Sequence, residues 1–156
     1  MKIRMMLVGA LMCLSAVDVL AQTPAPWLGT WNLNVAKSKF NPGPPPKSMI
    51  VNSVATEGGG VTYTSDTVAA DGKTTHFEYF SKPDGKDYPM KTATTDAIWL
   101  KKIDDYTNQF ATKMGGKVVA TGGTVYSRDG KLRTQTWTVT NAQGEKVEST
   151  AVFDRQ

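Results

Sequence analysis

Few side chains in this sequence could do chemistry. His76 is the only histidine and Cys13 the only cysteine. One imidazole cannot supply the several His, Cys or carboxylate ligands that a zinc site needs. Its neighbours Thr75 and Phe77 belong to no nucleophile or base motif. Asp104-Asp105 could be a pair of acid–base carboxylates. Adjacent strand residues point to opposite faces, however, so the pair reads as a turn between Ile103 and Tyr106. Lys101-Lys102 splits across two faces in the same way. The tripeptide Asp-Gly-Lys recurs at 71–73, 84–86 and 129–131. It has neither phosphate-loop spacing nor a following helix, and Asp-Gly supplies the positive φ angles that hairpin turns demand. The chain therefore reads as a non-enzyme with no catalytic residues, no metal site and no cofactor.

What the sequence does offer is aromatic surface. Tyr63, Phe77, Tyr79, Trp99, Phe110, Tyr126 and Trp137 fall on the central portions of segments rich in Thr, Val, Tyr and Trp. These seven are the candidates for lining a lumen. A barrel of eight to ten strands either fills with side chains or holds one small ligand. The many strand threonines and Gly122-Gly123 fill space poorly, which favours a small hydrophobic molecule as partner.

The elements that must position these rings are short strands. Trp27 to Val35 alternates, with Trp27, Gly29, Trp31, Leu33 and Val35 on one face. Further strands are expected over 47–56, 61–69, 74–81, 87–92, 97–103, 106–114, 118–127, 132–140 and 146–154, separated by glycine-bearing turns. No stretch of ten or more residues shows helical apolar spacing, although 36–39 has room for one helical turn. The longest irregular connection runs from Ala36 to Pro46 and carries Phe40, Pro42 and Pro44. These features give an all-β class: an antiparallel up-and-down β-barrel of about 8–10 strands. An even count lets strand ten pair with strand one and leave no open edge. Trp27 and Arg155 then share one end, and the proline loop lies at the other, where it forms the expected entrance. Alternation sorts residues onto two faces without saying which face is the lumen.

Residues 1–21 are expected to be a signal peptide. Lys2 and Arg4 precede the apolar run Met5–Val17, and Val19-Leu20-Ala21 gives small residues at the cleavage site. Cleavage after Ala21 makes the protein periplasmic or secreted and leaves 22–156 as a single domain without cysteine. The leader removes Lys2, Arg4 and Asp18, so a formal charge of +4 becomes +3. Lysines and acids are interspersed, with no basic block for nucleic acid and no later apolar run long enough to span a membrane.

Gly29-Thr30-Trp31, the ten-strand pattern and the ending Val152-Phe153-Asp154-Arg155 resemble the calycins, the lipocalins and fatty-acid-binding proteins. In that superfamily a Gly-x-Trp on the first strand sits at the closed end of the barrel. A basic residue of the last strand packs across its indole. The resemblance therefore implies a lipocalin-like floor built from Gly29, Trp31 and Arg155. The string from Gly29 to Phe40, with Pro42-Gly43-Pro44 and Asp84 to Pro89, looks like a family of uncharacterised exported bacterial lipocalin-like proteins. Two departures stand out. Fatty-acid-binding proteins insert a helical pair after strand one, where this chain has a proline loop. Their carboxylate-binding arginine–tyrosine pair has no matching motif here, although Arg133 and Tyr126 are available.

Two functions fit these readings. One is a carrier of a small apolar molecule, which calls for a cavity of about 300 Å³ or more. The other is a structural or protein-interaction module, with a filled barrel and an exposed apolar patch at Phe40 and the prolines.

Overall fold

The computed structural model describes residues 25–141 and 143–156. The expected signal peptide lies outside the described residues. Ten strands follow one another: β1 (Gly29–Leu33), β2 (Ser48–Thr56), β3 (Gly60–Val68), β4 (Thr74–Ser81), β5 (Asp84–Pro89), β6 (Ala97–Lys102), β7 (Thr107–Met114), β8 (Lys117–Tyr126), β9 (Leu132–Thr140) and β10 (Lys146–Arg155). They form one antiparallel sheet in the order β4-β3-β2-β1-β10-β9-β8-β7-β6-β5. The all-β, up-and-down barrel read from the sequence is the fold observed. Among the described residues helix is confined to single turns at Val35–Lys37 and Glu57–Gly59.

Closure between the chain's two ends occurs as parity requires. β1 pairs with β10 through Trp31↔Arg155, Asn32↔Asp154 and Leu33↔Phe153. The barrel is nevertheless incomplete, because β4 and β5 share no ladder. Its cause lies in the linker Lys82-Pro83. The proline has no N–H to offer a ladder, and its carbonyl is taken by the Lys102 N–H of β6 at 3.2 Å.

Two local readings need correction. The first strand is shorter than its alternation suggests: Trp27 sits in a turn closed by the Leu28 N–H on the Ala25 carbonyl (2.9 Å), and Val35 opens a helical turn. Asp84-Gly85-Lys86 is not a hairpin turn but the start of β5. There Gly85, at φ +77°, makes a bulge between Asp84 and Asp87. A positive φ serves a bulge as well as a turn, so the tripeptide alone does not separate the two.

Inward-facing residues of β1, β2, β8 and β10 make a buried cluster of Trp31, Val51, Tyr126, Ala151 and Phe153. The opposite faces of β3 and β4 carry Asp66 and His76, whose Nδ1 lies 2.6 Å from an Asp66 oxygen in solvent. His76 is thus an exposed surface side chain.

Candidate ligand-binding cavity

Both arginines of the barrel interior face aromatic rings, but their surroundings differ. Arg155, from the end of β10, lies with Cζ 4.2 Å from the ring centre of Trp31. Its guanidinium donates to three carbonyls, those of Leu28 (2.7 Å), Pro26 (2.6 Å) and Gly130 (2.5 Å). Gly29 permits this approach: it has φ +123°, and a β-carbon there would lie 2.6 Å from Arg155 Nη1. Gly29, Trp31 and Arg155 are therefore brought together at one end of the barrel. Trp31 is wholly buried.

Arg133 enters from β9 and is 2% exposed. Strand alternation turns it inward together with Gln135. Nη2 donates to the Tyr63 hydroxyl (3.0 Å) and to Gln135 Oε1 (2.5 Å). Cζ stands 4.6 Å from the Phe153 ring centre and 5.5 Å from that of Tyr63. Nε and Nη1 meet no acceptor among the described residues. Burial pushes the phenols of Tyr79 and Tyr126 above their ordinary range, so both stay neutral and neither supplies a counter-charge. A buried charged donor without a partner costs about 1–3 kcal/mol or more.

Arg133 lines a cavity of about 130 Å³. One wall is a stack of rings from β3 and β4. Tyr63 and Tyr79 have centres 4.9 Å apart at 26°, and Phe77 lies 8° from the plane of Tyr79. Ile98, Leu100 and Phe110 from β6 and β7 continue the lining. Arg133, Ser53, Ser81, Asn108 and Thr124 are buried polar residues of the same lining. Among the described residues Arg133 is its only charged member, and no carboxylate belongs to it. The lining crosses the β4/β5 seam from Ser81 and Pro83 to Leu100, and no β5 side chain takes part.

Solved structures with this arrangement of strands include zebrafish ileal bile acid-binding protein complexed with cholic acid. It is 14% identical, with a TM-score of 0.55, covering 84% of this chain and 99% of that one. Another is the fluorescent protein UnaG (13%, TM-score 0.56, 83% and 97% covered). A third is Rv2717c from M. tuberculosis (15%, TM-score 0.55, 86% and 98% covered). The likeness is one of fold, the up-and-down antiparallel barrel. No family model and no curated protein sequence matches the chain.

Within this barrel the seven aromatic candidates divide. Tyr63, Phe77, Tyr79, Phe110 and Tyr126 line the cavity. Trp99 does not. It shares the outer face with Ala111 and Thr121, and its Nε1–H donates to the Gly85 carbonyl at 2.6 Å, packing the indole over the β5 bulge. Trp137 faces inward but lies outside the lining, meeting Phe40 edge-on at 5.7 Å. The entrance loop is corrected by the same contact. Phe40 packs on Trp137, Lys39 and Thr150 exchange two 2.7 Å hydrogen bonds, and Asn41 N–H donates to Ser149 Oγ at 2.9 Å. Pro42 and Pro44 are exposed, and neither they nor Phe40 borders the cavity. The loop is fastened to β10 because its backbone completes hydrogen bonds that β1 is too short to make.

Arg133 is the residue that motif reading passed over. The usable signal was a lone charge on the β9 face shared by Gln135, Trp137 and Val139. It becomes decisive only once that face is known to turn inward.

Proposed function

We propose that the protein binds a small molecule inside the barrel, its apolar body on the Tyr63–Phe77–Tyr79 wall and an anionic group on Arg133. The observation that carries this is a fully buried guanidinium with two unpartnered nitrogens in a cavity that holds no carboxylate. An anion supplies both the missing acceptors and the missing charge, and such charge-assisted hydrogen bonds are roughly twice as strong as neutral ones. The bound cholic acid of the zebrafish protein supports the reading by analogy of fold alone.

The cavity is smaller than the 300 Å³ set for a carrier, so this reading is restricted to compact ligands. The interaction-module alternative loses its main feature, because Phe40 is packed on Trp137 rather than displayed. Export belongs to the proposal too. The basic and apolar leader ending at Ala21 supports it, as does the resemblance of the Gly29–Phe40 string to exported bacterial lipocalin-like proteins. Native mass spectrometry of protein purified from its own host tests both parts. The expected result is a chain beginning at Gln22 with a co-purifying acid that Arg133→Met abolishes. A ligand retained by Arg133→Met would overturn the site, and an uncleaved chain would overturn export.

A further inference from the structure

Granting that binding reading, we propose that the ligand is a single-ring aromatic acid, a planar carboxylate of about benzoate size. Three independent features converge on it. The first is volume. An apolar cavity of about 150 Å³ is known to accommodate benzene, whereas larger organic ligands occupy about 300–1,000 Å³. At about 130 Å³ this cavity matches one ring better than a long acyl chain or a fused ring system.

The second feature is shape. The planes of Tyr63, Phe77 and Tyr79 lie within 8–26° of one another, so the three rings form a near-parallel stack. A flat ring continues such a stack with offset, at centroid separations of about 4.5–7 Å. Ile98 and Leu100 belong to the same lining and add apolar surface beside the stack. A saturated ring has no flat face to offer and stacks on aromatic rings less well.

The third feature is polarity. Arg133 Nη2 already donates to the Tyr63 hydroxyl, so the ring stack runs up to the guanidinium. A molecule stacked there brings a ring-bound carboxylate within reach of Nε or Nη1 without needing a flexible spacer. The carboxylate is acceptor-only, and it matches a lining that offers one cation and no anion.

Isothermal titration of the purified protein with benzoate, 4-hydroxybenzoate, cyclohexanecarboxylate, benzyl alcohol, palmitate and cholate tests this. Benzoate or 4-hydroxybenzoate should bind saturably and at least tenfold more tightly than each of the other four. Arg133→Met, shown by circular dichroism to be folded, should lose at least tenfold. Phe77→Ala widens the cavity and should shift preference from benzoate toward 2-naphthoate at least tenfold. Arg133-dependent binding in which palmitate or cholate surpasses the benzoates would overturn the single-ring class and leave the binding reading intact. An unchanged naphthoate-to-benzoate ratio in Phe77→Ala would also overturn it. If no carboxylate binds in an Arg133-dependent way, both this inference and the reading beneath it fall.

Discussion

Arg155 lies two residues beyond Phe153 on β10, and Phe153 is the residue opposite Arg133 on β9. Each guanidinium covers an aromatic ring at 4–5 Å. What separates them is where their hydrogen bonds go. Arg155 spends its donors on three backbone carbonyls from segments far apart in sequence, and so ties the start of the chain to its end. Arg133 satisfies one nitrogen with a phenol and an amide and leaves two without protein partners. A buried charge that is fully coordinated works as a fastener. One that is left incomplete lowers stability and keeps its binding capacity for something else.

Mutations should expose that contrast. Trp31→Ala should have the largest effect, a loss of about 3–5 kcal/mol in urea unfolding, from the cavity left by a wholly buried indole. Arg155→Met should cost about 2–3 kcal/mol, since three carbonyls lose a charged donor in a half-buried setting. The two should couple by at least about 0.5 kcal/mol in a double-mutant cycle, and strict additivity would break the fastener argument. Gly29→Ala should cost about 1–3 kcal/mol through its positive φ and its collision with Arg155. Combining it with Arg155→Met should relieve part of that cost. Arg133→Met should have the smallest effect on stability. It should stay within about 1 kcal/mol of the parent or rise above it, because it removes an uncompensated charge. If Arg133→Met destabilised as much as Arg155→Met, the two arginines would be doing the same job and the contrast would fail.

The legibility of this molecule follows the same division. The floor was readable because Gly29-Thr30-Trp31 and the ending at Arg155 resemble the closed end of a calycin, and strand parity puts Trp27 and Arg155 at one end. The turns at Asp71-Gly72 and Asp129-Gly130 were readable from local backbone chemistry. Trp99 was not, because β6 is apolar on both faces: Ile98 and Leu100 point inward while the indole covers Gly85 outside. Alternation groups residues by face, and only the closed sheet says which face is inside. The seam was hidden for a related reason, since Pro83 reads as an ordinary linker until its carbonyl is seen bonded to β6. Arg133 needed both facts, an inward face and a lining free of carboxylates, and neither is a property of its neighbours in sequence.

The missing β4–β5 ladder also bears on how the chain folds. Eight of the nine ladders join neighbours in sequence, and only β1–β10 joins distant segments, pairing Trp31 with Arg155. Read from β5 through β10 to β1 and on to β4, the sheet is an uninterrupted meander. The native chain is therefore a circular permutant of a fully local topology, cut at its one non-local pairing. The Gln156 N–H bonds to the Thr30 carbonyl at 3.0 Å, so the described ends already adjoin. Linking them and opening the chain at Lys82-Pro83 would turn every ladder into a hairpin. Folding rates rise as contacts become more local, and such a permutant should refold faster than its parent in stopped-flow measurements while keeping the same barrel.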